Sequence, residues 1–178
     1  HMDREVCIPA LGEHMVYPTL IAAAVAERFG LTADEIEQGI RQFVPTRMRM
    51  NILRRGNGII ILDDTYNANP QSMRAAISVL SDSQSSYKIA VLGDMLELGP
   101  FSPALHAEVG EYLGQAGIQC LVAVGEQPAA MAQGARDAGV PQVLYCQDKG
   151  EAMERLPMLL RGDCTILVKA SRGMKMED

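Results

Sequence analysis

The chain has 178 residues, 48% of them hydrophobic and 21% charged, which gives room for one compact globular domain and a fragment of a second and excludes a disordered or collagen-like polymer. Its 22 acidic against 16 basic residues leave a net charge of −6, which argues against non-specific binding to nucleic acid or an anionic membrane, so any bound anion must find a local site. No apolar run approaches the roughly 18 residues of a membrane span, and no basic-then-apolar leader opens the sequence; a cytoplasmic protein is expected.

His1-Met2 reads as a cloning scar, residues 1–2 standing apart from the fold. Residues 3–46 are helical in pattern. Pro18 suits a first helical position ahead of Leu20, Ile21, Ala24 and Val25, with Gly30 as the stop. Thr32 and Glu35 have capping-box spacing ahead of Ile36, Ile40 and Phe43. Two helices so short bury little alone and read as the end of a larger unit.

After Pro45 the texture changes to apolar strands alternating with amphipathic helices, which predicts an α/β domain over 47–178 built on a mainly parallel sheet with flanking helices. Residues 51–53 and 59–62 flank Arg54-Arg55-Gly56-Asn57-Gly58 and read as a hairpin. Asn69 as cap and Pro70 at the first helical position open a helix whose Met73, Ala76, Ile77 and Leu80 recur at i, i+3, i+4 and i+7. Strands are expected at 89–92, 120–124, 142–145 and 165–168, and helices near 103–116, 129–138 and 150–161, the last split by Pro157. Cys7, Cys120, Cys146 and Cys164 form no CxxC pair, and the last three fall in or beside apolar runs, so buried thiols are expected.

Ligands of such sheets bind beyond the carboxyl ends of the strands. Three segments there are unusually polar. Asp63-Asp64-Thr65-Tyr66-Asn67-Ala68-Asn69-Pro70 leads into a helix N-terminus, where Asp64 could hold a ribose or a phosphate-bound metal and the helix end favours an anion. Gly93-Asp94-Met95-Leu96-Glu97-Leu98-Gly99 has glycines but no GxGxxG, and alone could be an ordinary strand-to-helix connection. Lys169-Ala170-Ser171-Arg172-Gly173-Met174-Lys175 supplies three cations and a hydroxyl, suited to an anionic substrate or to a solvated basic tail. Arg47, at the junction, could reach a phosphate, whereas Arg54 and Arg55 on a turn are expected to be solvated; His14 and His106 belong to no shared motif and default to capped or packed roles. None of Lys88, Lys149, Lys169 and Lys175 follows a glycine, so the chain carries no GxxxxGK[ST] phosphate loop.

The Asp63-Asp64-Thr65-Tyr66-Asn67-Ala68-Asn69-Pro70-Gln71-Ser72-Met73 run resembles the Mur ligases, and the likeness continues through Val91 to Gly99, His106 with Gly110, and Val168 to Glu177. Within the family the pattern is that of the branch acting on UDP-N-acetylmuramoyl-tripeptide and D-Ala-D-Ala. The resemblance implies a Rossmann-like final domain over 47–178, preceded over 3–46 by a short helical tail of a truncated ATPase domain. It further implies a parent enzyme of peptidoglycan synthesis that uses ATP and Mg2+, is monomeric, and forms an amide through an acyl phosphate, with this fragment inactive alone. Carried over residue by residue, it puts Arg47, Asp64, Tyr66, Asn67, Asn69 and His14 at the nucleotide, Asp94 and Glu97 near the incoming amine, and Lys169, Ser171 and Arg172 at the catalytic end near acceptor and phosphate. Where relatives have His-Asn-Val-x-Asn this chain has His14-Met15-Val16-Tyr17-Pro18, and Thr46 and Ala170 replace glycines, which implies stiffer loops. A stand-alone nucleotide-binding regulatory module and a structural Rossmann-like interaction domain are the competing readings.

Overall fold

A computed structural model describes residues 4–178, so the His1-Met2 reading lies outside the described residues. The chain divides into two compact units, His1–Thr46 and Arg47–Asp178.

In the first unit a short 3-10 turn leads into α1 (Val16–Arg28), followed by α2 (Ala33–Arg41). Pro18 is the third residue of α1 rather than its first, because the preceding 3-10 turn already sets helical geometry at Met15. Thr32 and Glu35 close the expected capping box, each side chain taking the other's backbone N–H. Ile36 is buried, while Tyr17, Leu20, Ile21, Val25 and Phe29 of α1 and its C-cap stand exposed. An apolar cavity of about 400 Å3 is lined by Met15, Ala22, Ala26, Ile36, Ile40 and Phe43 among others.

The second unit is a six-stranded sheet: β1 (Asn51–Arg54), β2 (Ile60–Asp63), β3 (Tyr87–Gly93), β4 (Cys120–Val124), β5 (Gln142–Cys146) and β6 (Cys164–Lys169), in the order β1-β2-β6-β3-β4-β5. Only β1 runs antiparallel, paired with β2 through the hairpin; its turn uses left-handed Asn57 and Gly58, and Arg55 N–H closes it on Ile59 O at 2.8 Å. The other pairs are parallel. Parallel strands covered on both faces need continuous apolar runs, and all five residues of β4 are buried. One face of the sheet packs Ile89, Val91, Val122, Val124 and Ile166 with Ala152 and Leu159.

The connecting helices are α3 (Pro70–Ser81), α4 (Ser102–Gln115), α5 (Pro128–Asp137) and α6 (Lys149–Arg155), and Pro157 falls in a 3-10 turn, Leu156–Leu159, that ends α6. The predicted stripe Met73, Ala76, Ile77 and Leu80 is buried, the larger three contributing about 1.5–3 kcal/mol each. Helices α4 and α5 touch backbone to backbone: a Cβ on Gly110 would lie 2.0 Å from Met131 O, and one on Gly134 2.4 Å from Ala107 O. Cys120, Cys146 and Cys164 are buried and Cys7 is exposed. No described helix is long and apolar enough to cross a membrane.

The last strand, β6, inserts between β2 and β3, so the loops following β2, β3 and β6 emerge side by side at the carboxyl edge of the sheet.

Candidate functional site

At that edge lies an open cavity of about 490 Å3 lined by Tyr66, Asn67, Ala68 and Asn69 after β2, Leu96 and Glu97 after β3, and Ser171, Arg172 and Gly173 after β6. Six of the residues singled out in the sequence therefore share one wall. Tyr66 is 44% exposed, and the Arg49 guanidinium covers its ring at 4.1 Å. The Arg172 guanidinium is exposed, paired with Glu177 at 2.5 Å and 3.5 Å from Met48 Sδ. Glu97 is exposed and holds a left-handed backbone, φ 64°, two residues before Gly99 at φ 58°.

Three other expected site residues lie beneath this wall. Lys169 is 2% exposed, and its Nζ donates to Asp64 Oδ2 at 2.5 Å and to Asn67 O at 2.7 Å. Burial pulls the lysine below its ordinary value, against the opposing pull of Asp64. The other oxygen of Asp64 accepts Met50 N–H at 3.1 Å, so this carboxylate ties the segment after the junction to the ends of β2 and β6. Asp94, 5% exposed, accepts the N–H groups of Glu126 and Gln127 at 3.3 and 3.0 Å, just ahead of α5. Its Oδ2 would meet a Cβ on Gly125 at 2.2 Å, so the β4 loop must approach with a glycine, here at φ 121°.

Ser171 joins both levels. Its Oγ accepts Leu96 N–H at 2.8 Å and lies 3.5 Å from Ala68 O, while its N–H donates to Asp94 O at 2.9 Å. Ala170 is fully buried, and its Cβ would stand 2.7 Å from a Cβ on Gly93, so the β3 and β6 loops interlock through one small residue each.

The helix end after β2 is partly capped from within: Asn69 Oδ1 takes Ser72 N–H at 2.8 Å, Ser72 Oγ takes Asn69 N–H at 3.1 Å, and Pro70 has no N–H. Arg47 is exposed and opens the second unit, and His14 is exposed in the first. Among the described residues no three His, Cys, Asp or Glu side chains gather as a metal-ligand cluster.

Sequence reasoning missed the burial of Lys169, Asp94 and Ser171 because polar residues just past a strand ordinarily reach solvent. The one available signal for Lys169 was an acidic partner beside it: Asp63 pairs in register with Val168, which sets Asp64 and Lys169 at adjoining strand ends. His106 takes the packed role expected of it, with Val109, Gly110 and Leu113 on the buried face of α4.

A mainly parallel sheet with a polar cavity built from three loops at its strand ends places the candidate site where α/β sheets of this kind bind their ligands. Residues 48–172 match the family model for the Mur ligase, glutamate ligase domain, and the chain belongs to the Mur ligase family. It is 36% identical over 176 residues to the UDP-N-acetylmuramoyl-tripeptide--D-alanyl-D-alanine ligase of Escherichia coli, covering 98% of this chain and 38% of that protein. A crystal structure of MurF from Acinetobacter baumannii superposes with a TM-score of 0.88 at 34% identity, over 97% of this chain and 38% of that one. A MurF ligase from Thermotoga maritima in complex with ADP gives 0.71 at 25% identity, over 86% of this chain and 34% of that one. The chain thus spans little more than a third of the length of these relatives.

Proposed function

We propose that this chain is the carboxyl-terminal part of a cytoplasmic, monomeric ATP-dependent ligase that joins D-Ala-D-Ala to UDP-N-acetylmuramoyl-tripeptide in peptidoglycan synthesis. The observation that carries the reading is the single cavity into which all three family-like loops converge. In the reaction class, a carboxylate oxygen attacks the terminal phosphorus of ATP and ADP leaves. The dipeptide amine then attacks the acyl carbon, phosphate departs with the C–O electron pair, and the amine loses a proton.

The residues fit parts of this chemistry. Tyr66, Asn67 and Asn69 offer a ring edge and amide groups to a nucleotide. The exposed guanidinium groups of Arg47 and Arg172 can fork to phosphate oxygens, and the Glu97 carboxylate can meet the ammonium group of the dipeptide. Asp64 and Lys169 serve by holding the loop, since each already satisfies the other. Magnesium would enter on the triphosphate, because the second unit offers no carboxylate cluster of its own.

The reading is tested in the full-length ligase containing this sequence by dipeptide-dependent phosphate release. Glu97→Gln is expected to raise KM for D-Ala-D-Ala and Arg172→Ala to lower kcat, whereas Arg55→Ala, on the hairpin turn, should match the unmodified enzyme. Unchanged kinetics in both of the first two variants would refute the assignment. The 178-residue chain alone is expected to show no ligase activity and to bind ADP with a Kd weaker than about 1 μM, as calorimetry would measure.

A further inference from the structure

His106 is fully buried on α4, and both of its ring nitrogens are committed. Nδ1 lies 2.8 Å from Ser102 O, which can only accept, so Nδ1 carries a hydrogen. Nε2 lies 3.0 Å from Met95 N, which can only donate, so Nε2 presents a lone pair. The two backbone partners together define the ring tautomer, and the Ser102 hydroxyl, 3.3 Å from Nδ1, can accept from the same hydrogen. Asp94 Oδ1 stands 4.0 Å from Nε2, but that carboxylate is already turned to Glu126 and Gln127 N–H.

From Met95 the hydrogen bonds continue toward the cavity. The next amide, Leu96 N–H, is taken by Ser171 Oγ, Ser171 N–H is taken by Asp94 O, and the Ser171 hydroxyl faces Ala68 O. One imidazole therefore stands at the root of a chain of contacts that crosses the loops after β3, β6 and β2, and Glu97 and Arg172 each follow directly on a residue of that chain.

We propose that His106 is a positioning residue of the cavity. By accepting Met95 N–H, its Nε2 lone pair sets the backbone of residues 95–97 and, through Leu96 and Ser171, fixes where Glu97 and Arg172 stand relative to one another. The proposal rests on reading this cavity as the ligand site, but its test does not require a ligand.

Nitrogen-15 NMR of the unmodified 178-residue chain reads the tautomer directly: a protonated Nδ1 with a bare Nε2 is expected, and the reverse tautomer would overturn the proposal whether or not any variant folds. Amide exchange then compares His106→Leu, which has no acceptor, with His106→Gln, whose side-chain oxygen can accept Met95 N–H. Exchange at Leu96 and Ser171 is expected to quicken by about tenfold in His106→Leu, to be partly restored in His106→Gln, and to stay unchanged at Val122 in β4. Equal acceleration in both variants would assign the effect to lost packing and refute the positioning role. Phosphate release by the full-length ligase separates the two claims: unchanged kinetics in both Glu97→Gln and Arg172→Ala would count against the ligand-site reading and leave the exchange result standing.

Discussion

Lys169 Nζ stands 2.5 Å from Asp64 Oδ2, an ion pair that joins the carboxyl ends of the two neighbouring strands β6 and β2 with the lysine 2% exposed. Burial outweighs the partner's attraction in setting the lysine's proton affinity, so the pair holds geometry more than it adds stability. Removing one member should therefore cost more than removing both. Lys169→Met leaves a largely buried carboxylate with Met50 N–H as its remaining partner and is expected to cost about 3 kcal/mol, the low end for a broken buried pair because Asp64 keeps some access to water. Lys169→Met with Asp64→Leu should recover most of that loss. Urea unfolding of both proteins decides, and a double variant no more stable than the single one would contradict this account.

Glycine-to-alanine changes should have opposite signs in two helices. At Gly39 in α2 nothing lies within 4 Å of an added Cβ, so Gly39→Ala is expected to gain about 0.5–1 kcal/mol from helix propensity. At Gly110 the same gain is overwhelmed, because Met131 O would lie 2.0 Å from the new carbon and α4 and α5 would have to part. A loss of about 1–3 kcal/mol is expected for Gly110→Ala. Thermal melts of the two variants should move in opposite directions.

The cap of α3 yields a graded pair. Asn69→Ala removes the acceptor of Ser72 N–H and should cost about 1 kcal/mol. Ser72→Ala removes the reciprocal bond to Asn69 N–H, while the Asn69 cap itself survives, and should cost less. Denaturant midpoints would show Asn69→Ala as the more damaging; the reverse order would argue against the cap as the dominant contact.

Burial raises the thiols of Cys120 and Cys146 above their ordinary range. A group whose proton is held more tightly in the folded state contributes stability below its unfolded value, and that contribution is lost as pH rises from about 8.5 toward the raised folded value. Stability should thus decline over this alkaline window, and Cys120→Ala, whatever its cavity costs, should decline less steeply. Chemical denaturation at pH 7 and above pH 9 compares the slopes; parallel slopes would contradict the assignment.

What the sequence revealed follows from how local each signal is. The Asn69-Pro70 start of α3, the Thr32–Glu35 box and the split at Pro157 depend on neighbours within four residues, and all three stand in the structure. The apolar runs of β3, β4 and β6 were legible because strands covered on both faces have no polar alternative. Lys169 and Asp94 were not, because their partners Asp64 and Gln127 come from other elements, and nothing in a lysine's own surroundings in sequence distinguishes a buried strut from a solvated cation. At the start of α3 an Asn before a Pro announces the helix, but only the structure shows that the Ser72 side chain takes Asn69 N–H in return.

The central place of β6 also bears on how such a chain is made. Strands β2 and β3 emerge from the ribosome long before their shared neighbour, since Asp64 and Lys169 are separated by 105 positions. Until β6 arrives, the facing edges of β2 and β3 have no strand to bind between them, and the loops that form the cavity have nothing to join them. A nascent chain interrupted before residue 164 would thus present open, apolar strand edges to chaperones and proteases rather than a smaller working domain. Emergence of β6 and assembly of the candidate site are, in this topology, nearly the same event.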